Sequence, residues 1–204
     1  LAANGVDVCF ANPGTSEMHF VAALDRVAGV RCVLGLAESV ATGAADGYYR
    51  MARRPAATLL HLGPGLGNGI ANLHNAGKAR SGIVNIVGDH ALAHAKFESP
   101  LRSDVEAIAA PVSHWVKTSV SSLEVAGDGA QAIAATREGA LGRISTLILP
   151  ADTAWGPGGE PVPSSRSSMV SPTYSISSHH FPSEWPSPVR RSRAARIAIC
   201  CARR

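Results

Sequence analysis

The sequence has 204 residues, 46% of them hydrophobic and 17% charged, which is enough for one domain with a packed core. No apolar run reaches the roughly 18 residues that a membrane-spanning helix needs. The first residues lack the charged and apolar regions of a secretory signal. The four cysteines show neither a Cys-x-x-Cys pair nor a metal-ligand spacing with histidine. We therefore expect a cytoplasmic protein without a membrane partner and without a metal site of its own.

The net charge of +4 is distributed unevenly along the chain. Residues 161–204 hold seven arginines and one acid, so this segment carries +6 and residues 1–160 carry −2. The acidic body shows no nucleic-acid footprint, and we expect no nucleic-acid partner for it. The segment 159–204 is rich in serine, proline and arginine and lacks a periodic apolar pattern, which predicts a disordered basic tail. This tail could be an arm for nucleic acid or an anionic surface, or it could have no function.

Six apolar runs predict β-strands, and the segments between them predict helices. The predicted strands are residues 6–11, 32–36, 57–62, 82–87, 115–120 and 144–149. Helices are predicted at 15–29, 39–53, 68–79 and 122–141, the last interrupted at Gly127-Asp128-Gly129, and a further helix start is predicted at 103–106. Strands that alternate with helices and are continuously apolar are typical of a parallel sheet covered on both faces. The expected fold is a doubly wound α/β domain over residues 1–158.

The second predicted strand, an apolar run that indicates a buried position, is followed by a single carboxylate, Glu38. Ligands of open α/β sheets bind at the carboxyl ends of the strands, so Glu38 is placed for a functional role. The alternative is structural, because an acid at a helix start interacts favourably with the helix dipole. The small residues that follow Glu38 predict a helix that packs closely against a neighbouring element.

The third predicted strand carries His61 next to its last residue and leads into a segment with four glycines, Gly63 to Gly69. Its composition predicts a loop. The segment lacks the terminal Lys-Ser/Thr of a P-loop and does not fit G-x-G-x-x-G, so its spacing does not indicate a phosphate site. A tight turn from a strand into a helix is the structural alternative.

Four motifs follow one another along residues 4–157: Gly5-Val6-Asp7-Val8-Cys9-Phe10-Ala11-Asn12-Pro13-Gly14 with Glu17; Ala37-Glu38 with Ala45-Asp46-Gly47-Tyr48; His61-Leu62-Gly63-Pro64-Gly65-x-Gly67-Asn68; and Thr146-Leu147-Ile148-Leu149-Pro150-Ala151-Asp152. Each motif alone is weak, but the set, in this order and spacing, is specific. It resembles the N-terminal, pyrimidine-binding domain of thiamine diphosphate-dependent enzymes. Within that superfamily it is most similar to the acetolactate synthase large subunit and benzoylformate decarboxylase group.

The resemblance implies a chemical role for Glu38. In this family the matching glutamate hydrogen-bonds a ring nitrogen of the cofactor's pyrimidine and promotes the imino tautomer, whose nitrogen removes the thiazolium C2 proton. The cofactor supplies the difficult chemistry and the protein tunes it. The resemblance also implies a set of residues that contact the pyrimidine end of thiamine diphosphate: Glu38, Pro13, Gly14, Gly63, Pro64, Gly65 and Asn68.

Four further residues are candidates for contact with the substrate. Benzoylformate decarboxylase carries a substrate-facing histidine at the place that matches His61, where typical acetolactate synthases do not; a structural histidine is the alternative. Thr15 falls where that decarboxylase has an active-site serine, but it could equally cap a helix. His90 and His94 follow the fourth predicted strand, where related decarboxylases place substrate-facing histidines, but they could also be solvated loop residues.

The triplet Gly127-Asp128-Gly129 imitates the start of the family's motif for the metal and diphosphate. That motif continues with an asparagine about thirty residues later in a separate carboxyl-terminal domain. Here the triplet lies in a predicted helical region, and no asparagine follows Asn85. We therefore expect Mg²⁺ and the diphosphate to be held by a missing or partner domain.

Family members need two similar domains, usually on different subunits, and this chain resembles only the first. We expect the N-terminal cofactor-binding domain, as a fragment, of a thiamine diphosphate-dependent 2-oxo acid lyase or transferase of the acetolactate synthase-like group. It would form a homo- or hetero-oligomer with a diphosphate-binding domain and be inactive alone. Three alternatives stay open: a non-catalytic regulatory half that pairs with a complete enzyme, a benzoylformate decarboxylase-like activity completed by a partner, and an interaction protein that acts through its basic tail.

Overall fold

The computed structural model describes residues 1–164. The predicted disordered tail extends past them, and its residues 165–204 lie outside the described residues. The strands are β1 Val8–Asn12, β2 Arg31–Leu34, β3 Ala56–Leu60, β4 Ile83–Asp89, β5 Trp115–Thr118 and β6 Ile144–Pro150. The α-helices are α1 Met18–Arg26, α2 Glu38–Ala52, α3 Leu62–Lys78, α4 Val105–Ala109 and α5 Val125–Ala135. Short 3₁₀ turns occupy Ala2–Asn4, Thr15–Glu17, Leu92–His94, Ala110–Val112 and Ala151–Ala154.

The six strands form one parallel sheet in the order β2-β1-β3-β4-β6-β5. The strand order reverses between β1 and β3, because the chain leaves β1 toward β2 on one side and leaves β3 toward β4 on the other. At such a switch point the two following connections diverge and leave a crevice beyond the carboxyl ends of the strands. This crevice is where the candidate site is sought.

Helices cover the sheet on both faces. Buried residues of α2, α3 and α4 pack in one core cluster with alternate residues of the strands. Residues of α1 and α5 pack in a second cluster with the remaining strand residues. The alternation of strand side chains between two apolar layers explains why the central strands are continuously apolar. The prediction of a doubly wound α/β fold is confirmed.

A buried polar ladder crosses the centre of the sheet at one register. Thr58, Asn85 and Thr146 are Cα partners on β3, β4 and β6, and each is fully buried. The Thr58 hydroxyl donates to the Asn85 side chain at 2.8 Å, and the Asn85 amide donates to Thr146 Oγ1 at 3.1 Å. Ser113 completes the row with a 2.7 Å bond to Thr146. A slip of one residue would place these groups among apolar side chains, so the ladder favours a single register.

The prediction that β2 is a buried strand is wrong. β2 lies at the edge of the sheet, and three of its four residues are exposed. The strand ends at Leu34, which is 69% exposed, and Leu36 beyond it is 91% exposed. An apolar run shows that a strand can be buried, but its place in the sheet order decides whether it is.

The prediction of a glycine loop followed by a helix from Asn68 is also wrong. The chain turns at Leu62, which has a φ of 54°, and the four glycines lie within α3, which begins at Leu62. The predicted interruption at residues 127–129 is absent from α5, which runs through them; Asp128 is buried there and pairs with Lys117 Nζ at 2.6 Å. The helix start predicted at 103–106 is confirmed, since Asp104 caps α4 by accepting the Ala107 N–H at 2.9 Å.

Within residues 1–164, none of the helices is both long enough and apolar enough to cross a membrane.

Candidate active site

Glu38 is the first residue of α2, directly after the connection from β2, and its side chain points toward α3. The residue is only 9% exposed. Its carboxylate makes no capping bond to the backbone of its own helix; instead Oε2 accepts from Asn68 Nδ2 at 3.1 Å. The other oxygen, Oε1, has no hydrogen-bond partner among the described residues and remains available as an acceptor. Position alone fits the helix-dipole alternative as well, but the hydrogen bond from Asn68 joins the Glu38 side chain to α3.

The glycines of α3 bring that helix close to α2. A Cβ on Gly65 would stand 2.9 Å from Glu38 Oε1, and one on Gly69, a turn later, would stand 2.9 Å from Thr42 Cγ2. Positions four residues apart share a helix face, so these two glycines form one smooth contact strip against α2. Asn72 extends the strip by donating to the Ser39 carbonyl at 2.6 Å. The sequence analysis predicts a loop from this glycine pattern. The close packing of α2 and α3 explains two of the glycines, Gly65 and Gly69, instead.

His61 caps the amino end of α3, one residue after β3 ends. Its side chain is 25% exposed, and its Nδ1 lies 2.8 Å from Oε2 of Glu17. Glu17 is only 1% exposed and comes from the 3₁₀ turn after β1. The pair thus joins the carboxyl ends of β1 and β3, the two strands that flank the switch point.

Glu17 is a site residue to which the sequence analysis gave no role. The signal was present, because the acid stands three residues after Gly14 in a turn, which is the spacing of a capping box. The structure shows the reciprocal bond, in which the Gly14 N–H donates to Glu17 Oε2 at 2.8 Å. The contact with His61 could not be anticipated, since 44 residues separate the two in sequence.

The remaining predicted site residues lie at different distances from this centre. Gly14 lies against the His61 ring, so closely that a Cβ would collide with it. Gly63 faces Ser103 on the opposite side from Glu38, and Pro64 is exposed at the start of α3. Pro13 is half-buried between β1 and the turn.

Among the described residues, no hydrogen bond or ion pair joins Thr15, His90 or His94 to Glu38 or His61. Thr15 is exposed and makes no capping bond; Gly14 occupies the N-cap position, so the helix-cap alternative for Thr15 is wrong. His90 lies at the end of β4 with Nε2 3.1 Å from the Pro100 carbonyl oxygen. Its neighbour Asp89 is half-buried, and burial raises the pKa of that carboxyl above its usual range, although the His90 N–H partly offsets the effect. His94 is exposed and packs edge-on against Phe97.

A cavity of about 430 Å³ lies at the opposite end of the sheet, where the strands begin. It is lined by residues from the end of α3 and from the connections that precede β4, β5 and β6, among them Arg80, His114 and Arg143. Ligands of open parallel sheets bind at the carboxyl ends of the strands, so we place the candidate site at Glu38 and His61 instead. Among residues 1–164, no group of three or more His, Cys, Asp or Glu side chains is arranged to hold a metal ion.

Comparison with known proteins identifies the family. The family model described as "Thiamine pyrophosphate enzyme, N-terminal TPP binding domain" matches residues 1–110. The chain is 61% identical over 158 residues to a Mycobacterium tuberculosis protein named "Putative acetolactate synthase large subunit IlvX", covering 78% of this chain and 30% of that protein. It is 33% identical over 116 residues to benzoylformate decarboxylase of Pseudomonas aeruginosa, covering 56% of this chain and 22% of that enzyme.

A solved structure agrees with the sequence matches. The fold superposes on the thiamine diphosphate-dependent 4-hydroxybenzoylformate decarboxylase of Rhodococcus jostii RHA1 with a TM-score of 0.71 at 27% identity, covering 78% of this chain and 30% of that one. The chain belongs to the family of thiamine pyrophosphate enzymes through their N-terminal, cofactor-binding domain. It spans about a third or less of the length of these relatives, so the activity of a whole enzyme is a matter for proposal.

Proposed function

We propose that this chain contributes the cofactor-activating glutamate, Glu38, to a thiamine diphosphate-dependent 2-oxo acid lyase or transferase. The observation that carries the proposal is the environment of the carboxylate. It is nearly buried, it is oriented by Asn68, and its Oε1 is an acceptor without a partner among the described residues. The residue is nearly buried, but Oε1 is not one of the oxygens closed off from solvent, so a ligand can reach this oriented acceptor.

The residues present fit a flat heterocycle with a ring nitrogen that can share a proton with a carboxylate. Gly65 has no side chain to cover Glu38 Oε1, and a Cβ there would crowd the oxygen. Asn68 fixes the other oxygen and so aims the carboxylate. When bound, thiamine diphosphate supplies a nucleophilic thiazolium carbon for 2-oxo acids. The proposed role of Glu38 is to share a proton between its Oε1 and the ring nitrogen of the pyrimidine.

His61 is the proposed proton donor or acceptor for the substrate. It lies at the same switch point, and its Cβ is 3.4 Å from the position that a Cβ on Gly65 would take, so Gly65 lies between Glu38 and His61. Two of the similar proteins are by name decarboxylases of benzoylformate or its 4-hydroxy derivative. We extend to this chain only their substrate class, 2-oxo acids.

A partner domain completes the proposed enzyme. Most of the affinity for thiamine diphosphate comes from its charged diphosphate and Mg²⁺, and we assign both to a second domain, in the same or another chain. Three exposed apolar residues flank Glu38 and support docking at this edge: Leu34 is 69% exposed, Leu36 91% and Val40 56%. We further propose that the chain forms an oligomer with this domain and that the oligomer is located in the cytoplasm.

The proposal is tested by measuring affinity and activation separately. In calorimetric titrations, the full chain should bind thiamine and thiamine diphosphate with similar, weak affinity and without need of Mg²⁺, because only the pyrimidine end is recognised. Glu38→Met should weaken this binding about 10- to 100-fold, the value of a hydrogen bond to a charged group. Glu138→Met, an exposed acid at the far end of the sheet, is the matched control and should bind as the wild type does.

The Glu38→Gln variant separates the role of Glu38 in binding the cofactor from its role in activating it. Its amide can still donate to a ring nitrogen, so binding should fall less than in Glu38→Met. In the enzyme completed by a diphosphate-binding domain, however, exchange of the cofactor's C2 proton should nearly cease. Unchanged exchange in Glu38→Gln, or equal binding by Glu38→Met and wild type, would overturn the assignment.

A further inference from the structure

The carboxylate of Glu17 has one oxygen that two donors share. Oε2 lies 2.8 Å from the Gly14 backbone nitrogen and 2.8 Å from Nδ1 of His61. The backbone N–H can only donate, so Oε2 is an acceptor in this arrangement. The remaining oxygen, Oε1, is buried without a hydrogen-bond partner in the part of the chain that the structure describes.

Two glycines make room for this arrangement. A side chain at position 14 would collide with the His61 ring, and a side chain at position 88 would collide with Glu17 Oε1. The carboxylate is therefore confined between β4 and the turn after β1, and the imidazole is confined against that turn. Confinement on both sides fixes the direction of the Glu17–His61 bond, which a pair of exposed side chains would not maintain.

The other ring nitrogen of His61 is unconstrained. Nε2 makes no hydrogen bond to any described residue, and the side chain is 25% exposed. In a histidine whose two nitrogens differ in this way, the partner of one nitrogen decides which of them carries the proton.

We propose that Glu17 is a positioning residue that fixes the neutral His61 side chain as its Nδ1–H tautomer, with the Nε2 lone pair facing the crevice. Nδ1–H donates to Glu17 Oε2, and Nε2 meets the substrate first as a proton acceptor; it can donate only after it has taken a proton. The catalytic meaning of this tautomer depends on the proposed function, but the tautomer itself does not.

The test is an NMR measurement on the full chain with ¹⁵N-labelled histidines, above the pH at which histidine is protonated. Long-range ¹H–¹⁵N correlations distinguish a protonated from a bare ring nitrogen in each tautomer. His61→Gln identifies the signals of His61 among the eight histidines. The wild type should show a protonated Nδ1 and a bare Nε2. A protonated Nε2 with a bare Nδ1 would overturn the proposal without the need for any variant.

A variant then tests the cause. Glu17→Met removes the acceptor at similar side-chain length, and His61 should change to a mixture of the two tautomers. Glu138→Met, the remote control, should leave the His61 signals unchanged. If Glu17→Met folds and His61 keeps the wild-type pattern, Glu17 does not set the tautomer; if it does not fold, the wild-type spectrum decides. If the wild type shows the predicted tautomer but does not bind thiamine, the proposed function is refuted and the proposal about the tautomer stands.

Discussion

Oε1 of Glu38 and the Cα of Gly65 face each other across the contact of α2 and α3, with too little space between them for a methyl group. Gly65 lies inside a helix, so a loop conformation does not explain why a glycine is needed at this position. The closeness of the Glu38 carboxylate does explain it. The same helix offers an internal comparison, since Gly67 lies two residues later and a Cβ there would meet nothing within 4 Å.

The first prediction compares Gly65→Ala with Gly67→Ala. Alanine at position 67 should stabilise the protein by about 0.5–1 kcal/mol, because helix propensity improves and no contact is strained. Alanine at position 65 gains the same propensity but displaces the Glu38 carboxylate, so urea unfolding should show less stabilisation and thiamine binding should be lost. Equal binding by both variants would contradict the geometry.

A second prediction concerns the spacing of α2 and α3. Gly69→Ala should destabilise the protein by about 1–3 kcal/mol, because its Cβ would stand 2.9 Å from Thr42 Cγ2. Thr42→Ser removes that methyl group and keeps the hydroxyl, which donates to the Glu38 carbonyl at 2.9 Å. The double variant should therefore recover most of the loss in a double-mutant cycle of unfolding free energies. Strictly additive effects would show that the two side chains do not meet.

The third prediction concerns the buried ladder. Asn85→Leu places an apolar group between Thr58 and Thr146, so the Thr58 hydroxyl loses its partner and Thr146 keeps only its bond to Ser113. We expect a loss of about 1–3 kcal/mol in the free energy of unfolding, measured in urea, from one buried hydroxyl left unsatisfied. Replacing Thr58, Asn85 and Thr146 together with valine or leucine should cost less than the single change, because the one hydroxyl that then loses its partner, that of Ser113, is only half-buried.

The fourth prediction is a pH dependence at Asp46. Burial raises the pKa of Asp46, but hydrogen bonds from Arg50 and Ser81 outweigh it and hold the pKa below the usual value of 3.8. The unfolded state therefore binds this proton more readily, so the contribution of Asp46 is complete above pH 3.8 and is lost as the pH falls through the lowered value. Asp46→Asn should flatten the acid limb of the urea midpoint against pH. Asp25→Asn, an exposed aspartate of α1, is the control and should keep the wild-type slope.

The layout of the fold follows from the alternation of apolar runs and helical segments, because strands buried on both faces leave a clear pattern. Glu38 and His61 follow from their places after two apolar runs, although the run before Glu38 is the exposed edge strand β2. The helical state of the glycine segment does not follow, since glycine disfavours a helix and the packing of α3 against α2 and the core overrides that preference. Two further features could not be predicted from local sequence. The edge position of β2 depends on the order of the strands in the sheet, and the pairing of Glu17 with His61 depends on how two turns that are distant in sequence come together.

The central claim is that the Glu38 carboxylate faces a pyrimidine, and saturation-transfer NMR on the full chain with excess thiamine tests it most directly. Saturation of the protein should reach the protons of the pyrimidine ring and its methyl group more strongly than those of the thiazolium ring. The transfer should disappear in Glu38→Met and persist in Glu138→Met. Transfer that is strongest at the thiazolium ring, or that survives in Glu38→Met at the wild-type level, would contradict the claim.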